Sequence, residues 1–550
     1  MNKDKPWLDQ YPANVPAESV YPFVTLNDIL TNSAEQYPDD VFLQAKDRRF
    51  TYAEVSEIVI NLAKNLIWLG IEKGDRVALI LPNTPEYVYS YFGILKAGAI
   101  VVAINPAYKH REIIRELQDA RVRWVITSEI LYADIKQIQP MTGVSKIIVA
   151  RTSSRPGEDG NQREPERDVM VYRPDIDLPQ LIKAPLDGGI QLPEISPEDP
   201  AVFQFTGGIT GTPKTAVGLH KNLAANVYQF RQWLPDLNTG RRTFIVAIPL
   251  FHVYGMVLGM ILGTLCGAKL IIVDQVREIE KLVHAIETEK PDFFPAVPAL
   301  IVAMNKYCQG CSTFVNISSL QIIISGASAL SPQVKQNFEQ LCHGKVLEGY
   351  GLSEAPTATH CNPITGENHP GSIGLPLPGV ECRVIDLETN RDVMLDGAAG
   401  ELWVKGPQIM QGYYQSPEET EKALVDGWLR TGDIVRMDAD GYFYILGRTK
   451  ELIKVGGMQV WPAEVEEVLL RHPAVIDCGV GGVQDSFRGE VVKAWVVIKP
   501  GFALEEEELI EWCKPFLVSY KIPAAIYFVK EIPRTSVGKI RRQVLIHGME

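Results

Sequence analysis

Residues 205–215 read Phe-Thr-Gly-Gly-Ile-Thr-Gly-Thr-Pro-Lys-Thr and concentrate the groups that a phosphate-binding loop uses. Gly207, Gly208 and Gly211 let the backbone bend through positive φ, so several N–H groups can converge on one anion. The hydroxyls of Thr206 and Thr210 add donors, and Lys214 adds a point charge. The Walker phosphate loop, G-x-x-x-x-G-K-[ST], is nearly matched over 208–215, but Pro213 stands where its second glycine must be. Taken alone, the stretch reads as readily as an ordinary glycine-rich turn.

Further chemistry-bearing stretches follow: Tyr350-Gly351-Leu352-Ser353-Glu354, Thr431-Gly432-Asp433, Gly447-Arg448-Thr449-Lys450 and Pro533-Arg534-Thr535-Ser536-Val537-Gly538-Lys539. In that order and at those separations they resemble the adenylate-forming superfamily of acyl-CoA synthetases, luciferases and peptide-synthetase adenylation domains. The resemblance runs from about residue 51 to residue 542 and is closest to the long-chain fatty acid CoA ligases. It implies two steps: a carboxylate attacks the α-phosphorus of ATP to give acyl-AMP and pyrophosphate, and the thiol of coenzyme A then expels AMP. The first step joins two anions, so positive charge and preorganised donors are needed rather than a nucleophilic side chain. No nucleophile elbow is found in the chain.

The resemblance assigns roles to individual residues. Lys539 would bridge the carboxylate and the α-phosphate, although a lysine in that position is by itself a solvated charge. Glu354 would ligate Mg²⁺, a hard oxygen for a hard cation. Ser353 replaces the threonine commonest there and keeps the hydroxyl. Ser325, Gly326 and Ala327 would form the adenine wall, or a simple strand-end turn, with Gly349, Tyr350 and Gly351 also on the nucleotide. Asp433 would accept from both ribose hydroxyls and Arg448 would donate to the same sugar; separately, each could be an ordinary ion-pair partner. Lys450 sits at the pivot of two domains and, with Lys454 and Gln459, would face the acyl-AMP. Gly456 and Gly457 would lie along the pantetheine arm of coenzyme A. His252 resembles the position beside the substrate carboxylate, with a packed core histidine as the alternative. Amino-acid-activating relatives carry aspartate there, so its absence favours a plain carboxylic acid. Two departures weaken the phosphate loop: Ile209 removes a hydroxyl, and Thr215 adds a Cβ where bare backbone is usual.

These residues need a scaffold, and the sequence supplies its outline. Thr51 and Glu54 form a capping box, followed by Val55, Ile58, Leu62 and Leu66 at helical spacing and by Gly70 at the end. Strands are expected at 76–81 and 100–104 with a helix at 86–97 between them, the alternation of a parallel sheet. A second such unit has strands at 270–273 and 320–324, a helix at 279–289, and a helix start at Ser331-Pro332. The glycine-rich loop itself is expected between an apolar run, 201–205, and a helix-like run, 219–234. Asp440-Gly441 predicts a hairpin. Beyond residue 448 a small mixed unit follows, with helices at 465–470 and 505–512 and a strand at 491–498. The implied fold is α/β and multidomain: a large N-terminal domain, 1–447, of two α/β sheet subdomains plus a β-rich subdomain, and a small mobile α+β C-terminal domain, 448–550. Residues 150–200 read as a surface excursion or a subdomain connector, with no chemistry assigned.

Gly255, Gly259, Gly263 and Gly267 recur every fourth residue, so a helix there has one bare face. That face suits close packing in the core, or it leaves room for an alkyl chain. The run 254–266 is strongly apolar, but Lys269 interrupts it before a membrane span is complete, so no transmembrane segment is expected.

A net charge of −13 argues against a nucleic-acid partner, since no basic stripe emerges to neutralise phosphates. Eight scattered cysteines, and an N-terminus without an apolar signal core, point to the cytoplasm. Cys308 and Cys311 lack a second pair at finger spacing and read as structural thiols. The sequence therefore supports an ATP-dependent, Mg²⁺-requiring fatty acid CoA ligase with small-molecule substrates. An acyl-AMP ligase that loads a separate carrier protein, and a weakly active or non-catalytic nucleotide binder, stand as alternatives. A homodimer and peripheral membrane contact are left open.

Overall fold

The computed structural model describes residues 4–152, 171, 174–183, 189–206, 214–238, 242–274, 278–311, 315–456, 458–485, 487–534 and 540–548. The positions singled out at Gly207, Gly208, Ile209, Thr210, Gly211, Gly457 and Lys539 lie outside them.

The capping box forms as its residues require. The Thr51 hydroxyl accepts from the Glu54 N–H at 3.2 Å, and the Glu54 carboxylate accepts from the Thr51 N–H at 2.7 Å, opening the helix Tyr52–Trp68. Gly70, at φ +96°, turns the chain toward the strand Arg76–Ile80. That strand runs parallel to Ile100–Ala103 and Trp124–Ser128, and Pro200–Phe205 runs parallel to Ile100–Ala103. The near-continuous burial of these strands is that of a parallel sheet covered on both faces. Among the described residues the sheet has eight strands.

One connection differs from the sequence expectation. After the glycine-rich loop comes a strand, Thr215–Leu219, antiparallel to Pro200–Phe205, and only then the helix His220–Trp233. The segments on either side of the loop are therefore an antiparallel strand pair rather than a strand and a helix. The Thr206 N–H donates to the Lys214 carbonyl at 2.8 Å and closes it. Thr215 sits buried opposite Phe205, a position that suits a β-branched residue.

Among the described residues the second sheet has nine strands, with a parallel core of Lys269–Ile272, Thr243–Val246, Phe293–Ala296, Ile322–Ser325 and Lys345–Leu352. Ala355–Cys361 then pairs antiparallel with Lys345–Leu352. The helices Ile279–Glu289, Pro298–Gly310 and Pro332–Cys342 are its crossovers.

The glycine-faced helix is π-helical over Gly255–Ile261 and α-helical over Leu262–Leu265. A Cβ on Gly255 would lie 2.4 Å from the Pro249 carbonyl oxygen, and one on Gly263 would lie 2.4 Å from Leu270 Cδ2. A Cβ on Gly267 would lie 2.3 Å from the Tyr37 ring. The bare face is filled by neighbours, so close packing is its use, and the expected room for an alkyl chain is not on this face. No helix among the described residues is long and apolar enough to cross a membrane.

A third sheet carries the predicted hairpin, Trp428–Met437 with Phe443–Arg448. The Asp438 carboxylate accepts from the N–H groups of Asp440 (3.1 Å) and Tyr442 (2.9 Å), and Gly441 takes φ +87°. Trp7 is buried beneath this turn, its backbone nitrogen 2.5 Å from where a Gly441 Cβ would be. The arm continues past Tyr11, whose hydroxyl donates to the Pro376 carbonyl, to Ala17, whose carbonyl accepts from the Gly379 N–H at 3.1 Å.

A fourth sheet begins with Ile453–Val455 and Met458–Val460 and includes Val475–Asp485, Gly489–Ile498 and Ala525–Phe528. Arg542 locks its last helix, donating to Glu451 at 3.0 Å, to Glu466 and to the Val480 carbonyl at 2.8 Å.

Candidate active site

A cleft of about 1210 Å³ opens where the parallel strands of the two large sheets end, the usual place for ligands in α/β sheets. Thr206, Lys214, Thr215, His252, Gly326, Ala327, residues 349–354, Arg448 and Lys450 all line it, so stretches far apart in the sequence meet there.

One wall forms where Ile322–Ser325 ends. The Tyr254 hydroxyl lies within donating distance of the carbonyls of Ile324 (2.7 Å) and Ala296 (3.1 Å), tying two strand ends together. Its ring carbons would be 3.2 Å from a Cβ on Gly326, so glycine lets the backbone lie flat on the phenol. Ala327 follows at φ +74°, a conformation that costs a non-glycine residue of order 1 kcal/mol or more. Ser325 is buried behind the wall, not at the cleft, and its hydroxyl has no hydrogen-bond partner among the described residues.

At another corner, Asp433 faces Arg448 across the hairpin, a pairing set by strand register. One carboxylate oxygen accepts from the Tyr350 hydroxyl at 2.6 Å and the other from Arg448 Nε at 2.8 Å. Asp433 is buried, whereas Arg448 opens to the cleft. Burial, reinforced by Asp433, pushes the Tyr350 phenol well above its ordinary range, and Asp433 holds Arg448 above its own. Both therefore remain donors at any working pH. Gly351 cannot carry a side chain, because a Cβ would lie 1.7 Å from the Thr357 carbonyl oxygen.

Glu354 and Lys214 share a third corner. The Tyr413 hydroxyl donates to Glu354 Oε1 at 2.9 Å, and the Lys214 ammonium lies 4.9 Å from the Tyr413 ring centroid. Lys214 also donates to Glu419 Oε2, and Lys422 donates to Glu419 Oε1 at 2.7 Å. These hydrogen bonds, that from Lys214 first, pull the Glu419 carboxyl down to about 2. Tyr413 and Glu419 were missed from the sequence. Ser416-Pro417-Glu418-Glu419 is legible as a helix start, but nothing local says that its acid meets Lys214.

His252 reaches the cleft from the loop before the π-helix, and its Nδ1 accepts from the Tyr254 N–H at 3.2 Å. In the neutral ring this places the proton on Nε2. Lys454, Gly456 and Gln459 are not brought into the cleft. The Lys454 side chain is exposed, Gln459 donates to Glu388 at 3.4 Å, and the Gly456 N–H donates to the Arg488 carbonyl at 2.8 Å.

The cleft thus combines backbone and side-chain donors, the cations Lys214, Arg448 and Lys450, and the carboxylate of Glu354, a set suited to a phosphate ester bearing a flat base. Residues 30–414 match the model of the AMP-binding enzyme family, and residues 464–539 match that of the AMP-binding enzyme C-terminal domain. The chain belongs to this adenylate-forming family. It is 38% identical over 554 residues to a long-chain-fatty-acid–CoA ligase of Bacillus subtilis (strain 168), covering 99% of this chain and 98% of that one. A long-chain-fatty-acid–CoA ligase of Salmonella typhimurium is 34% identical over 562 residues, with 98% of each chain covered. Among solved structures, ATP-bound MatB from Rhodopseudomonas palustris superposes with a TM-score of 0.83 at 25% identity, over 95% of this chain and 99% of that one.

Proposed function

We propose that the protein is an ATP-dependent, AMP-forming fatty acid–CoA ligase. It converts a fatty acid and ATP to acyl-AMP and pyrophosphate, then acyl-AMP and coenzyme A to acyl-CoA and AMP. The observation that carries this reading is the convergence of Lys214, residues 349–354, Arg448 and Lys450 on one cleft, in a chain that aligns end to end with fatty acid ligases.

On this reading the adenine lies against Gly326 and Ala327, and the ribose lies at Arg448, which Asp433 and Tyr350 hold in place. Thr206 and Lys214 meet the phosphates. His252 stands beside the carboxylate that attacks, and Lys539 bridges that carboxylate and the α-phosphate as charge develops. Glu354 fits a Mg²⁺ ion: it is one hard carboxylate at the cleft, and no cluster of three metal-ligating side chains accompanies it among the described residues. Mg²⁺ takes few protein ligands when phosphates and water supply the rest. When bound, it would neutralise phosphate charge.

We place the domain boundary at 447/448, where the chain leaves the third sheet for the fourth. A swivel there would exchange Lys539 for the face bearing Lys454, Gly456 and Gln459, with Gly456 and Gly457 along the pantetheine arm. The cysteines, none in a disulfide, support a reducing cytoplasmic setting.

A panel of carboxylic acids tests the proposal. Pyrophosphate release should depend on a fatty acid, and free coenzyme A should then yield acyl-CoA. Product only on an added carrier protein would favour the carrier-loading reading, and no pyrophosphate with any acid would reject adenylation altogether.

A further inference from the structure

Tyr413 stands between the two charges that the third corner offers. Its hydroxyl is committed to Glu354, and its ring face carries the Lys214 ammonium. Several independent ties fix it there. Gly412–Tyr413 pairs antiparallel with Thr215–Leu219, which sets Tyr413 opposite Ala216, two residues beyond Lys214. The Tyr413 N–H donates to Thr420 Oγ1 at 2.9 Å, and the Thr420 hydroxyl donates to the Ser416 carbonyl at 2.9 Å. This fastens the helix Pro417–Ala423, which carries Glu419, to the same strand. The Met410 N–H donates to the Glu354 carbonyl at 2.9 Å, so one short segment holds the backbone and the side chain of Glu354 together.

The physical consequence is directional. A carboxylate with one oxygen held by a phenol presents its other oxygen along a fixed line. An ammonium drawn to a ring face is confined without losing its charge.

We infer that Tyr413 is a positioning residue that couples Glu354 to Lys214, so that the metal-side and cation-side contacts to a triphosphate are set as one unit. The inference rests on reading the cleft as the ATP site, but it concerns a side chain that touches neither ATP nor the acid in that reading.

The test uses the intact protein and binding of a fluorescent ATP analogue, measured in EDTA and then across a Mg²⁺ titration. Tyr413→Phe keeps the ring and removes the donor. It should raise the Mg²⁺ concentration for half-maximal tightening about threefold to tenfold, as expected for the loss of one ordinary hydrogen bond, with affinity in EDTA unchanged. Tyr413→Leu also removes the ring face and should weaken binding in EDTA about twofold to fivefold. In a Glu354→Gln background, Tyr413→Phe should add nothing to the Mg²⁺ dependence. A Tyr413→Phe protein with the original Mg²⁺ dependence would overturn the inference, as would an equal further shift in the Glu354→Gln background. If the unaltered protein bound no ATP analogue under either condition, the reading of the cleft would fall, and the inference with it.

Discussion

At the scale of single residues, the corner around Asp433 shows how burial fixes protonation. Behind Tyr350 lies His360, fully buried, its ring 5.9 Å from that of Tyr350 and 4.8 Å from that of Phe443. Burial pushes the His360 imidazole down to about 3 and that of His220 to about 4. In the unfolded chain both take up protons near pH 6.5, so between these values the unfolded state binds more protons than the folded one. Their contribution to stability is complete above about pH 6.5 and is lost as the pH falls toward 3 to 4. Each adds a slope of up to about 1.4 kcal/mol per pH unit. Denaturation midpoints measured from pH 7 to pH 4 should therefore fall less steeply for His360→Asn than for the unaltered protein; parallel profiles would show that His360 does not carry this linkage. Asp433 and Arg448 were legible as residues, and their pairing follows from the hairpin at Asp440-Gly441. The contact of Glu419 with Lys214 was not, because ion pairs between distant segments leave no local pattern.

Elements were legible where local chemistry dictates them. The Thr51 and Glu54 box, the Ser331-Pro332 start and the Asp440-Gly441 turn all have short-range causes, and all form. Thr215–Leu219 was not separable from the helix after it, since five apolar-rich residues fit either period. The glycine stripe was ambiguous for a different reason: spacing reveals a bare face but not what lies against it. Its energetics can be checked residue by residue. Gly263→Ala would drive a methyl to 2.4 Å from Leu270, and should destabilise by about 1–3 kcal/mol. Gly259→Ala places its methyl 3.5 Å from Val246 and should be tolerated. Urea denaturation of the two variants decides the matter. Equal stability, with a change in preferred acyl length at Gly263 alone, would reopen the stripe as a substrate channel.

At the scale of the whole molecule, the proposed catalytic set would be split across two units, and the exchange proposed between them would separate the half-reactions. Lys539→Ala should slow adenylation by about 10²-fold or more, as removal of a transition-state contact does, while leaving thioester formation from preformed acyl-AMP much less changed. Equal losses in both steps, measured by pyrophosphate release and by acyl-CoA yield from synthetic acyl-AMP, would reject that division. The sequence pointed to a small mixed unit after residue 448 by its short helices and strand, and residues 464–539 match the C-terminal domain model. What the sequence could not show is how the body is closed. Trp7 is seated under a turn, around Gly441, that a ribosome working at roughly 5–20 residues per second delivers about 20–90 s later. Throughout that interval the indole has no socket, and for most of it Tyr11 has no Pro376 carbonyl to bind. The first-made side of the Trp7 contact thus waits for strands made more than 400 residues later, so the arm seals the large body late rather than seeding it.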